Sequence, residues 1–264
     1  MHFFEKVTEH IYKLEVPFAD NYTSVFLIRT EAGDLLVDAA TTETDVTGHI
    51  LPALEALGAS PCAVFCTHLH GDHAGGLPFL LPRLQNAALY AANAGIAKYA
   101  EIARPAVVQD GDMLLSVLRV LHLPGHSSDS CSLLDTRTGA LLTGDCVQQY
   151  GVSRWGVGVG LPLRYRASLL RLAEEEGVET LIASHPYVPD GWIAEGRAAV
   201  RAYLMEAVFD FDRVVEYTRA NRALGDAKAI AAGFTAHYTR EYPNLPILQA
   251  STVEQILKID DKLQ

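Results

Sequence analysis

Apolar positions along the chain fall into short runs separated by polar turns, and the spacing within each run predicts an element. Tyr22-Thr23-Ser24-Val25-Phe26-Leu27-Ile28 and Leu35-Leu36-Val37-Asp38 flank Glu31-Ala32-Gly33-Asp34, the pattern of a hairpin closed by a Gly-Asp turn. From Glu43 to Leu57 the apolar spacing is helical, and Gly58 stops it. Ala63-Val64-Phe65-Cys66 reads as a short buried strand, Leu77 to Leu84 as a helix, Ala87 to Ala91 as a strand and Ala94 to Ile102 as a helix. Met113 to Leu121, Ser130 to Asp135, Leu141 to Thr143 and Leu181 to Ala183 are further strands, with a helix from Tyr165 to Glu176. Strands and helices alternating in two comparable halves predict an α/β fold, two sheets sandwiched between helices.

From Ile193 onward no strand pattern remains, and the tail reads as three helices. The expected division is a catalytic domain over 1–192 and a helical extension over 193–264. Val200, Leu204, Ala207, Val208, Phe211, Val215 and Thr218 form one mainly apolar stripe, and Ala198, Ala202, Met205 and Phe209 form a second about 180° away. Such a helix is expected to be covered on both sides, by the core on one and by later helices, the substrate or a second copy of the chain on the other. Asp226 is placed to cap a helix reaching Tyr242, and Ser251-Thr252-Val253-Glu254 has the form of a capping box.

Composition narrows the class. The chain has 264 residues, 49% hydrophobic and 20% charged, which suits a folded globular protein. A net charge of −11 disfavours binding to a phosphate backbone, so no nucleic-acid partner is expected. No apolar run reaches the ~18 residues that a membrane span needs, and no membrane partner is expected. Met1-His2-Phe3-Phe4-Glu5 lacks the basic and apolar regions of a secretory signal, so the expected location is the cytoplasm. Cys62, Cys66, Cys131 and Cys146 form no CxxC pair and read as reduced thiols, with Cys146 singled out because it follows Asp145.

The chemistry concentrates at strand ends. Asp38 closes one strand, and "THLHGDHAGG" follows another with His68, His70, Asp72 and His73 within six positions. His126 lies in "LPGHS", Asp145 in "LTGDC" and His185 in "ASHPY", each just after an apolar run. Crowded imidazoles repel when protonated, so a metal ion is the physical reason to gather them. An HxHxDH cluster should arise by chance about once in a thousand such sequences, which disfavours a plain polar turn. Imidazole and carboxylate donors without thiolate suit Zn, Fe or Mn. Seven candidates exceed one tetrahedral ion and suit two ions that share a carboxylate. Gly71, Gly125 and Gly144 adjoin these residues, where tight turns are expected. His122 reads as a core or supporting residue, and His2, His10, His49 and His237 as ordinary surface or packing residues.

In this order, "THLHGDHAGG", "LPGHS", "LTGDC" and "ASHPY" resemble the metallo-β-lactamase-fold hydrolase superfamily, over roughly Tyr12 to Tyr187. The resemblance implies an αββα sandwich carrying a C-terminal helical extension. It implies that His68, His70 and His126 hold one metal and that Asp72, His73 and His185 hold the other. Asp145 would bridge them, and Asp38, at the family's "VDTG" position (here "VDAA"), would support a ligand from behind. Two divalent ions follow, zinc by first expectation, with a hydroxide held between them as nucleophile. Asp72 and Asp145 are the expected catalytic carboxylates, Asp72 as a proton shuttle.

The fold alone does not settle the substrate. "SHPY" resembles the "GHEY" of glyoxalase II enzymes, while quorum-sensing lactonases carry a tyrosine where this chain has Gln148. "LLPRL" and the helical tail resemble quinolone-signal thioesterase-like members. A small-molecule thioester or other activated ester is the expected substrate. A lactonase, a β-lactamase-like hydrolase and a mononuclear-iron persulfide dioxygenase are the alternatives. Tyr150, Trp155, Tyr187, Met205 and Phe209 are the expected pocket residues, and a homodimer is an expected assembly.

Overall fold

The computed structural model describes residues 3–19, 21–85, 87–150, 156–187, 190–238 and 248–262. The chain divides into two compact units, one of residues 1–122 and 131–144, the other of residues 123–130 and 145–264.

In the first unit, β1 (Glu5–Lys6), β2 (Ile11–Phe18), β3 (Asn21–Thr30), β4 (Gly33–Val37), β5 (Ala63–Phe65), β6 (Ala88–Ala91) and β7 (Arg104–Val107) pair in chain order. The pairs β1 to β4 are antiparallel, and β4 to β7 are parallel. A parallel pair needs a crossover, and the predicted helix supplies the one from β4 to β5. It starts as α1 (Glu43–Asp45), capped by Thr42 with Asp45 in a reciprocal capping box. A π-helical turn, Val46–Ile50, interrupts it before α2 (Leu51–Leu57), and Gly58 ends it in the left-handed region. β8 (Met113–Leu114), β9 (Leu118–His122), β10 (Cys131–Asp135) and β11 (Ala140–Leu142) form an antiparallel set in that order.

Several elements differ from the sequence expectation. β2 was hidden by Lys13, Glu15 and Pro17; Lys13 is nonetheless buried, its Nζ 2.6 Å from Glu15 Oε1 and 3.1 Å from Tyr22 Oη. β7 contains Pro105 and lies at the end of the strand order, where a missing N–H is tolerated. Met113 to Leu121 is two strands, because Leu115 and Ser116 turn through positive φ. Ala94–Tyr99 is a 3-10 helix opened by the Asn93 side chain, not an α-helix. Leu77 to Leu84 is α-helical only over α4 (Leu77–Leu80) and then 3-10.

In the second unit, α5 (Pro162–Glu174) precedes β12 (Thr180–Tyr187) and β13 (Gly191–Glu195), which pair antiparallel. β13 corrects the expectation that no strand follows Ile193. Then come α6 (Arg197–Ala220), α7 (Ala227–Tyr238) and α8 (Ala250–Lys262). The first α6 stripe is buried through Val200, Leu204, Ala207, Val208 and Phe211, and each full burial of a Val, Leu or Phe contributes roughly 1.5–3 kcal/mol. Asp226 Oδ1 accepts from Lys228 N at 2.9 Å, the expected cap, while Tyr242 lies outside the described residues. The capping box at Ser251 is not formed. α8 begins one residue earlier, and Thr252 is buried and bonded elsewhere. Among the described residues no helix is long and apolar enough to cross a membrane.

Gly125 sits against α5: a Cβ there would lie 2.5 to 2.8 Å from Cα, Cβ and Cδ2 of Tyr165, whose ring is fully buried. Replacing Gly125 by Ala should therefore destabilise the chain by about 1–3 kcal/mol. Urea unfolding should show a lower midpoint with an unchanged slope.

Candidate metal centre

The parallel strands β4 and β5 carry the first unit's polar residues just past their C-terminal ends, where α/β sheets place ligands. After β4, Asp38 takes a left-handed backbone (φ 65°) and is completely buried. Its N–H bonds to Phe65 O at 2.9 Å, and Ala39 N bonds to His73 O at 2.7 Å, so the two strand ends are tied. The Asp38 carboxylate accepts from Thr67 N at 2.8 Å, from Thr67 Oγ1 at 3.0 Å and from His73 Nδ1 at 2.7 Å. A carboxylate can only accept, so the proton sits on His73 Nδ1 and the Nε2 lone pair is left for a metal. Thr67 Oγ1, having given its proton to Asp38, can accept from His68 Nδ1 at 3.1 Å. One buried carboxylate thus sets two imidazoles, one directly and one through a hydroxyl.

His70 opens the short helix α3 (Gly71–Ala74), which carries Asp72 and His73. The His68 ring lies 4.6 Å from that of His70 and 4.2 Å from that of His73. His73 Nε2 is 3.5 Å from Asp72 Oδ2. Gly71 is not demanded by space, since a Cβ there meets nothing within 4 Å. Gly144 is: at φ 55° its Cβ would lie 2.7 Å from Thr67 Cβ.

The second unit holds His126, Asp145 and His185. His126 Nε2 is 3.5 Å from Asp145 Oδ2, and His185 Nε2 is 3.4 Å from Asp145 Oδ1. His185 lies where the β12–β13 register shifts, between Ile182 and Tyr187, an irregularity of the kind that re-aims a side chain. His126 Nδ1 is 2.6 Å from Gly158 O and 2.8 Å from Gln148 Nε2. Nδ1 thus faces an acceptor and a donor. The shorter contact, to a carbonyl that only accepts, favours the proton on Nδ1, with Gln148 Nε2 donating to Asp145 O at 3.3 Å, and leaves Nε2 for a metal.

These separations fit metal ligation. Bonds of about 2.1 Å at a tetrahedral angle put neighbouring donor atoms roughly 3.4 Å apart. The distances of 3.4 and 3.5 Å are long for hydrogen bonds and right for donors sharing an ion. Each imidazole with a settled tautomer presents Nε2. Among the described residues, the His and Asp side chains grouped so that they could hold a metal ion are His68, His70, His126, Asp72, His73, Asp145 and His185.

The expected pocket residues are placed as follows. Tyr150 and Tyr187 are buried, and the Tyr187 ring packs edge-on at 6.0 Å from His185. Burial, then the charge of Asp145, pushes the Tyr187 phenol well up. Met205 is half-buried, Phe209 is 55% exposed, and Ala198 and Ala202 of the same stripe are also exposed. Trp155 lies outside the described residues. His122 is half-buried at the end of β9, with its N–H bonded to Asp110. His10 and His49 are half-buried, His237 is exposed, and His2 lies outside the described residues. Cys66, Cys131 and Cys146 are buried thiols outside any disulfide, and Cys62 is exposed.

A family model, the metallo-beta-lactamase superfamily, matches residues 19–185. The chain belongs to this superfamily. It is 33% identical to the hydroxyacylglutathione hydrolase of Aeromonas hydrophila, over 64% of this chain and 63% of that protein. It is 30% identical to an atrochrysone carboxyl ACP thioesterase of Claviceps purpurea, over 50% of this chain and 42% of that protein. The chain thus spans less than two thirds of the length of these relatives. Among solved structures, the metallo-beta-lactamase FIM-1 from Pseudomonas aeruginosa, in a mono-zinc form, superposes with a TM-score of 0.62 at 16% identity. That likeness covers 80% of this chain and 96% of that one. The fold is the α/β sandwich of the superfamily, here with the C-terminal helices α6 to α8.

Two polar residues that bond to candidate ligands, Thr67 and Gln148, and a third buried in α6, Asp210, carry no motif of their own in the sequence. Thr67 stands inside "THLHGDH", where its neighbours carry the stronger signal, and Gln148 stands where the lactonases carry a tyrosine. Asp210 interrupts the apolar run Val208 to Phe211, and a charge in such a run was the available signal. It is 1% exposed, with Arg213 Nη1 3.3 Å from Oδ1, and Arg213 also donates to Tyr150 Oη. Burial pushes the Asp210 carboxyl up to about 7, against the Tyr150 hydrogen bond that lowers it. Between pH 4 and 7 the unfolded chain has lost this proton while the folded chain keeps it, so stability falls as pH rises through that window. Asp210→Asn removes the effect. The melting temperature of that variant relative to the parent should therefore increase from pH 4 to pH 7.5; a constant difference would show that Asp210 does not titrate there.

Proposed function

We propose that this superfamily member is a dinuclear metal-dependent hydrolase that cleaves a thioester or another small activated ester. His68, His70 and His126 hold one divalent ion and Asp72, His73 and His185 the other, with Asp145 shared. The observation that carries this reading is the Asp145 carboxylate, whose two oxygens face two different imidazole Nε2 atoms at 3.5 and 3.4 Å. A carboxylate serving a single ion has no need to divide its oxygens so. The family match over 19–185 contains all of these residues. Zinc is the expected ion, and iron or manganese would accept the same donors.

When bound, two such ions lower the pKa of a water and polarise the substrate carbonyl. The chain's own residues do the rest. Asp145 sets one carboxylate oxygen beside Nε2 of His126 and the other beside Nε2 of His185. Asp38 and Thr67 hold His68 and His73 in the tautomer that presents Nε2. The Asp72 side chain, 16% exposed against 0% for His73, stays within reach of water and can pass a proton to the leaving atom.

Thioester cleavage is favoured over the lactone and β-lactam alternatives by the relatives, whose names place acyl groups on glutathione or a carrier protein. The mononuclear-iron dioxygenase alternative needs only two histidines and one carboxylate. Tyr150, Tyr187 and Trp155, with Met205 and Phe209 of α6, select an apolar or aromatic acyl group. The exposed Phe209 face serves either that group or a second copy of the chain.

Asp145→Asn should lower metal content below the parent's and remove most turnover, measured by elemental analysis and a panel of thioesters, lactones and β-lactams. Two ions per chain with near-parental rates would refute the bridge. One iron per chain with oxygen uptake on glutathione persulfide would overturn the hydrolase reading. Asp38→Asn should weaken metal affinity roughly 10–100-fold, because an imidazole loses the group that orients it.

A further inference from the structure

We propose that helix α8 is a strut that positions His126, acting through the buried hydroxyl of Thr252. The inference rests on the reading of His126 as a metal ligand and adds a role for the tail.

Residues 157–159 form no strand, so their backbone groups must be satisfied by other parts of the unit. Thr252 meets this need from α8. Its Oγ1 accepts from Val159 N at 2.9 Å and donates to Val157 O at 3.0 Å, using both functions of the hydroxyl. Gln249 N adds a 3.3 Å bond to Val157 O. Between these two valines sits Gly158, whose carbonyl accepts the hydrogen bond of His126 Nδ1 at 2.6 Å. Two residues on, Gly160 N donates to His126 O at 3.1 Å, and Leu161 N to Gly125 O at 2.8 Å. The stretch 157–161 is therefore held on one side by the first turn of α8 and holds His126 by ring and backbone on the other.

Nothing in this path has slack. Thr252 is completely buried, and Val157 and Val159 are nearly so. A Cβ at Gly158 would meet the Gln249 carboxamide at 2.8 to 3.1 Å. Gln148 closes the other flank, with Oε1 accepting from Gly158 N at 3.0 Å. Farther along α8, Val253 and Ile256 are buried, while Ile256 and Ile259 line a cavity of 160 Å³ with Phe211 of α6 and Pro162 of α5. A shift of α8 moves the Gly158 carbonyl, and with it the hydrogen bond that orients the His126 ring. Outer partners of a ligating histidine typically change metal affinity by about 10–100-fold; Thr252 acts one bond further out, so about tenfold is expected.

The test uses the full chain, stripped of metal and titrated with Zn²⁺ against a competing chelator. Thr252→Val keeps the volume and removes both hydrogen bonds, and Thr252→Ser keeps the hydroxyl. With folding verified by melting, T252V should bind one ion as the parent does and the other about tenfold more weakly, and T252S should match the parent. Should T252V not fold, T252A answers the same question. Parental affinity for both ions in the hydroxyl-free variant, or equal weakening of both, would overturn the strut. His126→Ala separates the premises: if it leaves Zn²⁺ binding unchanged, the ligand assignment fails, whereas if it loses one ion while T252V loses nothing, only the strut fails.

Discussion

The buried carboxylate of Asp38 joins the frame of the first unit to its chemistry. A charge removed from water is costly unless hydrogen bonds replace its hydration, and here the Thr67 amide, the Thr67 hydroxyl and the His73 imidazole do so. Those bonds fasten the loop after β5 to the end of β4, two strands already in parallel register from Leu35 and Ala63 onward. The left-handed backbone at Asp38 is strain that this network can hold. Remove the carboxylate, and the loop loses its anchor while His68 and His73 lose the group that settles their tautomers.

The second unit reaches a comparable result by a different route. Its histidines are set by backbone, a carbonyl for His126 and a register shift in β12 for His185. Backbone support depends on whatever holds the backbone, and for 157–159 that is the first turn of α8. A tail outside the family match thereby gains a physical link to a residue inside it. Asp210 belongs to the same tail: a carboxyl buried in an apolar stripe beside Arg213, which burial pushes up to about 7.

How much of this was legible depends on the range of each interaction. The crowding of His68, His70, Asp72 and His73 is a fact of adjacent positions, and the apolar runs before Asp38, His126, Asp145 and His185 announce strand ends. Those features, with the hairpin, the helix stopped by Gly58 and the stripe on α6, were determined by the sequence alone, because side-chain periodicity and turn residues act within a few positions. β2 and β13 were not legible, since a strand holding Lys13 or beginning at Gly191 is stabilised by neighbours rather than by its own pattern. Thr252 shows the limit most plainly. Locally it reads as part of a helix cap; in the fold its hydroxyl bonds to residues more than ninety positions away. Which partner a hydroxyl takes, which nitrogen of a histidine carries the proton and which oxygen of Asp145 meets which imidazole were decided by tertiary structure, because each depends on atoms that only folding brings within three or four ångströms.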